Sequence, residues 1–398
     1  MILFLAGLTG SLAASIVAKV TATTALALAG TRLARGSRAA VRHVLLAAAF
    51  AVLLVLPIAA LVAPSIRIPV PIVAQGGTAS PPGEPIAELA SPTAPVDAPG
   101  RFTPALPPSS RISLSALWLA GWVAGAMLFL LPVVVGLWQV RVLRRSGLPW
   151  RHGQSVVDSL AIDAGIRRRV EVLLHESIPG PMTCGVVRPA IMLPIDAQTW
   201  AVGDLRRAIV HELEHVRRGD WVSQCVARVV CGCYWFHPLV WIARRQLAIE
   251  AERACDDAVL QRDSTRPGAG DEATGYADQL VALAQRLSTA SNRPLLAMAN
   301  RADLATRVVA VLDSRQPRGR AGAWSVALAC ATSALIVATL SPLRLVAAAE
   351  AAAAVLSLGP HRDSKWPRSN PITPPTSGNH VVTCRVGRSR PQAFICER

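Results

Sequence analysis

Charged residues are scarce in this chain of 398 residues. Asp, Glu, Lys and Arg make up 17% of it, whereas hydrophobic residues make up 52% and the mean hydropathy is +0.38. A soluble domain usually carries about 25% charged residues. The shortage excludes an ordinary soluble enzyme and indicates a protein that lies largely in lipid.

Lysine is almost absent, because only Lys19 and Lys365 are lysines among the 41 Lys and Arg residues. Ile16 and Arg362 stand three residues before them, so the chain has no Ser-x-x-Lys motif and no serine nucleophile of that kind. The net charge of +16 therefore comes from arginine. Much of it flanks apolar segments, where we expect membrane lipid rather than nucleic acid as its partner.

Four apolar segments are long enough to span a membrane. Residues 44–63, 112–138 and 321–343 contain no charged side chain. Residues 1–18 form the fourth segment. We expect it to remain as a span, because no basic residue precedes it as in a signal peptide, although cleavage near residues 25–27 is the alternative.

Arginine at the ends of the spans predicts their orientation. It clusters between the first two spans, directly after the third and directly before the fourth, so these flanks are expected in the cytoplasm and both termini outside. The predicted order along the chain is two spans with a basic cytoplasmic loop 26–43 in residues 1–63, an extracytoplasmic Pro/Ala-rich loop in 64–111, a third span in 112–138, a cytoplasmic domain in 139–320, a fourth span in 321–345 and a short extracytoplasmic tail in 346–398.

The eight cysteines divide by predicted side of the membrane. Cys384 and Cys396 fall outside the cytoplasm and are the predicted disulfide pair. Cys231-Gly232-Cys233 lacks a second pair at zinc-site spacing, so buried packing is favoured over metal binding. The remaining cysteines are predicted to be reduced in the cytoplasm or to lie within a span: Cys184, Cys225, Cys255 and Cys330.

His211-Glu212-Leu213-Glu214-His215 is an HExxH motif, the zinc and base motif of metallopeptidases. Positions i and i+4 share a helix face, so both imidazoles can reach one Zn²⁺. Glu212 then stands beside the open position of the metal, where a carboxylate can take a proton from attacking water. Asp204 is a candidate cap at the start of this helix and Gly219 a candidate end. The alternative is a surface helix with two incidental histidines.

Further motifs follow in a specific order. The run 211–220 is followed by Trp235-Phe236-His237-Pro238 and then by Glu252-Arg253-Ala254-Cys255-Asp256. Together they resemble the antirepressor (BlaR/MecR-type) membrane zinc metallopeptidases, which include the β-lactam-sensing transducers of bacteria. Residues 181–194 and 297–312 are similar to the strand before the zinc helix and the closing segment of that family, and the resemblance covers about residues 112–345.

The resemblance implies a mainly α, four-span protein whose cytoplasmic zinc-peptidase domain contains helices and a small strand element. It implies that His211, His215 and Glu252 bind zinc, that Glu212 is the general base, and that Asp256 orients a ligand from behind. Glu250 is the competing third ligand. Glu252 is preferred because Glu252 and Asp256 match the ExxxD pattern of related membrane metallopeptidases, and positions i and i+4 share a helix face.

The family role implies an endopeptidase in the bacterial inner membrane that cleaves a cytoplasmic transcriptional repressor, with cleavage of itself as a further expectation. The rivals are a constitutive quality-control metalloprotease and a non-catalytic sensor or scaffold. The missing Ser-x-x-Lys motif is a departure from the family's β-lactam sensors. The input signal is therefore not expected to be covalent β-lactam capture by this polypeptide, and the sequence leaves both the signal and the oligomeric state open.

Two apolar stretches of the predicted domain have more than one interpretation. Residues 184–194 have strand composition and offer either an edge for an extended substrate or a buried structural strand. Residues 221–241 are apolar enough for a fifth span, but one crossing would put His215 and Glu252 on opposite sides of the membrane. We therefore expect this segment to lie at the interface, to re-enter, or to pack under the zinc helix.

Overall fold

The computed structural model describes residues 2–62, 66–70, 114–263, 272–290 and 294–347, and confirms the predicted mainly α class with a small sheet. The helices of the described residues are α1 Ile2–Leu33, α2 Ala39–Val62, α3 Leu114–Ser146, α4 Arg151–Asp163, α5 Val202–Arg218, α6 Asp220–Cys233, α7 Pro238–Asp263, α8 Glu272–Ala290, α9 Pro294–Leu312 and α10 Ala323–Leu340. The strands are β1 Ile66–Val70, β2 Leu148–Pro149, β3 Glu171–His175, β4 Met182–Cys184, β5 Ala190–Pro194 and β6 Leu343–Ala347.

Four of these helices are long and apolar enough to cross a membrane, as predicted. The candidate spans are Ala13–Gly36, Ala39–Ala60, Ala116–Ser146 and Ala323–Leu340. The first candidate span is Ala13–Gly36, whereas the sequence predicted a span in 1–18 and a loop in 26–43; in the structure α1 continues to Leu33 and α2 begins at Ala39. Lys19 does not end the span, because its ammonium is buried and donates a hydrogen bond to the Ser341 carbonyl at 3.1 Å.

Two of the short strands follow candidate spans: β1 lies just after α2, and β6 lies just after α10. β1 pairs in parallel with β6, with Ile66 opposite Leu343, so these two helix ends lie at the same end of the bundle. Most of the predicted loop 64–111 and tail 346–398 lies outside the described residues. The predicted pair Cys384 and Cys396 lies outside them too.

The apolar stretch 221–241 forms a helical hairpin, α6 and the start of α7, that packs among α1, α2 and α3. At its turn, Tyr234 donates a hydrogen bond to the Leu53 carbonyl at 3.3 Å, and Trp122 donates one to the Cys233 carbonyl at 3.1 Å. Leu53 is 14 positions after Ala39, which is about 21 Å along α2. Of the three arrangements predicted for this stretch, the geometry matches a re-entrant hairpin.

The larger sheet has the strand order β2-β3-β5-β4. The stretch 184–194, expected as one strand, forms instead the antiparallel hairpin of β4 and β5. It turns at Gly185, whose φ of 90° is the left-handed conformation that glycine adopts without strain. β5, which makes up most of the strand content of this stretch, is buried along its whole length, as in the structural alternative, whereas β4 (Met182–Cys184), of which only Cys184 belongs to the stretch, lies at the edge of the sheet.

Helix α5 is held between this sheet and α7. Ile209, Leu213 and Val216 form one buried cluster with Ile191 of β5 and Val259 of α7. The helix ends at Gly219, whose φ is 70°, as predicted. Its start differs from the prediction, because Ala201 precedes the first helical residue and Asp204 lies within the first turn. The cluster fixes which face of α5 points away from the core.

Candidate metal centre

His211 and His215 stand one turn apart on α5 and face the same carboxylate of α7. Nε2 of His211 lies 3.4 Å from Oε2 of Glu252, and Nε2 of His215 lies 3.4 Å from Oε1 of Glu252. Ligand atoms of a tetrahedral zinc, with bonds near 2.1 Å, stand roughly 3.4 Å apart. Each oxygen of the Glu252 carboxylate thus lies at this distance from the Nε2 atom of one of the two imidazoles.

The other nitrogen of each imidazole is held by an acid. Nδ1 of His215 lies 2.7 Å from Oδ2 of Asp220. Nδ1 of His211 lies 3.2 Å from Oδ1 of Asp256 and 3.2 Å from the hydroxyl of Tyr276, which itself donates to Asp256 at 2.8 Å. Contacts of this kind orient histidines that bind a metal, and Asp256 makes one with the imidazole of His211.

Arg307 of α9 connects a predicted ligand with the acid behind it. Its guanidinium binds Asp256 through two hydrogen bonds of 2.8 and 2.7 Å and lies 3.0 Å from Oε2 of Glu252. Arg307 stands more than 50 positions from both acids, and no spacing in the sequence indicates the contact. The resemblance included this residue in the closing segment without giving it a role.

The electrostatics of the centre suit a divalent cation. Burial alone would lower the pKa of His211. Cys255 and the neighbouring carboxylates of Asp256 and Glu252 outweigh burial and raise that pKa to about 10. Burial opposes ionisation of Glu252, yet Arg307 and the two histidines hold its pKa well below the usual range. The acids of the centre thus favour a positive charge on the imidazoles, and a bound cation would compete with protons for the same nitrogens.

Glu250, the competing ligand, lies elsewhere. Its side chain is buried and accepts hydrogen bonds of 2.8 Å from Arg42 of α2 and from Gln246. Arg253 contacts it at 3.4 Å. These contacts place the Glu250 carboxylate against the first two spans rather than beside His211 and His215.

Cys255 is a candidate donor that the sequence analysis did not consider. One ligand atom from each of His211, His215 and Cys255 lies within 4.8 Å of the others. The Cys255 sulfur accepts a hydrogen bond from Arg218 at 3.1 Å, however, and a guanidinium in that position competes with a metal ion. Glu252 fits better, because its two oxygens reach both Nε2 atoms at 3.4 Å.

Glu212, the predicted base, follows His211 on the same helix and is 7% exposed. Oγ1 of Thr183 lies 2.6 Å from Oε2 of Glu212 and 3.1 Å from its backbone carbonyl. Thr183 belongs to the edge strand β4. The contact ties the carboxylate to the strand beside the centre, and nothing in the sequence pattern singled out this threonine.

Helix α2 reaches the centre through two adjacent residues. Arg42 binds Glu250, two positions before Glu252, and Nε2 of His43 lies 3.4 Å from Oδ1 of Asp220. Asp220 in turn binds His215. Burial alone would raise the pKa of Asp220, but His215 and Arg218 hold that pKa below its usual range. A candidate span therefore contacts Asp220, the acid that holds the predicted ligand His215, and also Glu250, which lies on α7 outside the centre.

Comparison with known proteins identifies one family over most of the chain. A family model described as BlaR1 peptidase M56 matches residues 20–311. The chain belongs to this family. The match begins within α1 and runs to the last turn of α9, so it includes both histidines, Glu252 and Arg307. The family is one of peptidases, and the four apolar helices make this member a membrane protein.

Two named relatives are similar to a shorter stretch. The chain is 28% identical over 165 residues to the regulatory protein BlaR1 of Bacillus licheniformis, a match to 40% of this chain and 27% of that protein. It is 25% identical over 145 residues to the methicillin resistance mecR1 protein of Staphylococcus aureus strain Mu50, covering 35% and 24% of the two chains. The matched segment thus spans about a quarter of each relative.

Proposed function

We propose that this chain is a zinc endopeptidase of the bacterial inner membrane that cleaves a transcriptional repressor at the cytoplasmic face. The observation that carries the proposal is the convergence of His211 and His215 on the Glu252 carboxylate, with Glu212 on the same helix. The orientation is supported by the arginines that flank the spans on the side of the peptidase domain.

His211, His215 and Glu252 would hold the metal, with Asp220 and Asp256 orienting the two imidazoles. When bound, zinc supplies a Lewis acid that polarises a peptide carbonyl and lowers the pKa of water. The sequence contains every residue of this ligand set. Zinc is the expected metal because two imidazoles and one carboxylate are a usual catalytic zinc set.

Glu212 would accept the proton of the attacking water on its carboxylate and deliver it to the leaving amine. The Thr183 hydroxyl, 2.6 Å from Oε2, fixes the direction of that carboxylate. Because Thr183 lies on the edge strand, a substrate that pairs with β4 would be placed beside the base. An extended peptide segment is therefore the proposed form of the substrate.

A repressor is proposed as the substrate because of the family and of the relatives, one of which is named a regulatory protein and another a methicillin resistance protein. Cleavage of its own chain is a second reaction open to the same centre. A constitutive quality-control protease would instead degrade many misfolded proteins. A non-catalytic sensor would leave the cleavage of every substrate unchanged when the base is removed.

The deciding experiment compares the proteomes of cells that express wild-type protein or Glu212→Gln. The amide keeps the shape of the side chain but cannot accept a proton, so cleavage should fall by at least about 100-fold while zinc stays near one per chain. Glu176→Gln, a change at an exposed glutamate, should behave like wild type. One DNA-binding regulator should accumulate in the Glu212→Gln cells.

Other outcomes separate the rivals. Accumulation of many unrelated proteins would favour quality control over antirepression. Identical proteomes together with full peptidase activity of purified Glu212→Gln would sink the metallopeptidase mechanism.

A further inference from the structure

A cavity of about 800 Å³ lies outside the metal centre, between the end of α1, the start of α2, α7 and α9. Among the described residues that line it are four arginines and two acids. Arg32, Arg35, Arg42 and Arg253 face this space together with Glu250 and Asp313. Four guanidinium groups against two carboxylates leave the cavity with a positive charge, which attracts anions.

The ion pairs inside the cavity do not balance this charge. Glu250 accepts hydrogen bonds from Arg42 at 2.8 Å and contacts Arg253 at 3.4 Å, so one carboxylate serves two guanidinium groups. Arg32 and Arg35 are exposed to the cavity and to solvent. Asp313 is the second acid, and its Oδ1 accepts a hydrogen bond from the Arg315 backbone.

The position of the cavity matches the level of lipid head groups. Arg32 and Arg35 lie at the end of the candidate span Ala13–Gly36, and Arg42 lies near the start of the span Ala39–Ala60. Basic pockets between helices at this level of a membrane bind the head groups of anionic lipids. On the α9 wall of the cavity, Ala305, Val309 and Ala310 lie beside Thr306, and Val309 is 68% exposed.

A second cavity, of about 490 Å³, continues from the first along α7 toward the re-entrant turn. The two share Ile242, Gln246 and Thr306, and Trp241 and Ile249 line only the second. The one charged pair that lines it, Arg245 with Asp303 at 2.8 Å, is neutral as a whole. A basic compartment thus opens into a mostly uncharged groove that contains a tryptophan, a residue favoured at membrane interfaces.

We propose that these joined cavities bind an anionic phospholipid, with its phosphate beside Arg32 and Arg35 and an acyl chain along α7. The positive charge explains selection of a phosphate, and the apolar groove explains why a lipid fits better than a free anion. A lipid bound here would bridge α1 with α7 and α9. The α9 wall includes Thr306, whose neighbour Arg307 contacts Glu252, so the lipid would also brace the helix that clamps the metal centre.

The test uses the full chain purified in a non-ionic detergent, with short-chain phosphatidylglycerol as the probe and binding measured by native mass spectrometry. Arg32→Gln with Arg35→Gln should weaken binding roughly 30-fold, since two arginines near an anionic head group are lost. The matched control, Arg141→Gln with Arg145→Gln, removes two exposed arginines from the end of α3 and should bind like wild type.

A second variant tests the cavity without changing its charge. Ala305→Trp, which fills the α9 wall, should also weaken binding of phosphatidylglycerol by at least about 10-fold. Short-chain phosphatidylcholine should bind more weakly to wild type than phosphatidylglycerol does. Inorganic phosphate that binds wild type as tightly as the lipid, and not the double variant, would overturn the lipid assignment in favour of a soluble anion. Equal losses in both arginine pairs, or none in either, would overturn the site itself.

Discussion

Glu250 and Glu252 stand two positions apart on α7, and their side chains leave the helix about 200° apart. Glu252 consequently faces the histidines of α5, while Glu250 faces Arg42 of α2. The i+4 spacing of Glu252 and Asp256 did indicate that both acids share one helix face, and both contact His211. Helical periodicity could not reveal Arg307, Thr183 or Cys255, since each reaches the centre through tertiary packing.

Metal content should separate the three candidate third ligands. Glu252→Gln should weaken zinc binding by at least about 100-fold, because loss of outer partners alone weakens it about 10- to 100-fold. Glu250→Gln and Cys255→Ala should keep about one zinc per chain, measured by elemental mass spectrometry after dialysis against a weak chelator. If Cys255→Ala loses zinc and Glu252→Gln keeps it, the ligand set is His211, His215 and Cys255.

Asp257, the neighbour of Asp256, gives a prediction for stability. Burial raises its pKa to about 6, although Arg318 opposes the rise from 3.8 Å. A carboxyl group whose folded pKa exceeds its unfolded value destabilises the fold at high pH and has no such effect below both values. Asp257→Asn should therefore raise the free energy of unfolding by about 1–3 kcal/mol at pH 8.

The gain in the free energy of unfolding from Asp257→Asn should shrink toward zero near pH 4. Thermal unfolding followed by tryptophan fluorescence at pH 8 and pH 4 measures it. Asp278→Asn, at an exposed position of α8, should change neither measurement. A variant less stable than wild type at pH 8 would mean that the attraction of Arg318 outweighs the burial of Asp257.

At the scale of elements, α2 has two functions in the fold, as a candidate span and as a contact of the metal centre. Arg42 and His43 are adjacent, so they leave the helix about 100° apart and reach Glu250 and Asp220 respectively. The sequence analysis interpreted Arg42 only as part of a basic flank. Its buried partner was not predictable, because nothing in the sequence shows which acid a flanking arginine will meet.

Breaking the Arg42–Glu250 pair should be costly, since both side chains are buried. Arg42→Met leaves the carboxylate short of its main partner and should lower the free energy of unfolding by about 3–5 kcal/mol. Adding Glu250→Leu should recover most of that loss, because an apolar pair replaces a buried ion pair with little penalty.

The control makes the same substitution in an exposed pair. Arg245 and Asp303 form an ion pair in which the side chains are 60% and 37% exposed. Arg245→Met removes this pair and should change the free energy of unfolding by less than about 1 kcal/mol. If Arg42→Met and Arg245→Met have equal effects on the melting temperature, the buried pair does not stabilise the fold.

For the whole molecule, hydropathy predicted four spans, and the described helices contain four candidates. The first candidate extends past Lys19, which a charge count treats as an end, because the folded bundle satisfies that ammonium with a backbone carbonyl from beyond α10. The re-entrant hairpin could be restricted to three arrangements from the sequence. Choosing among them needed the contacts of Tyr234 and Trp122 with the spans.

Orientation remains a prediction that reporter fusions can check. A reporter active only outside the cytoplasm should work when inserted in residues 64–111 or fused after Arg398, and should fail when fused near Arg315, because arginine flanks stay in the cytoplasm. A cytoplasmic reporter at the same positions should give the reverse pattern. Activity of the first reporter near Arg315 would place the HExxH helix outside the cell.

The re-entrant hairpin separates His215 from Glu252 along the chain. During synthesis His211 and His215 leave the ribosome before the hairpin, and Glu252 leaves after it. We expect Glu252 to reach its partners only when the hairpin has found its place among the spans. A newly made copy whose hairpin fails to enter the membrane should therefore lack a complete metal centre. Such a copy should have no peptidase activity in the cytosol.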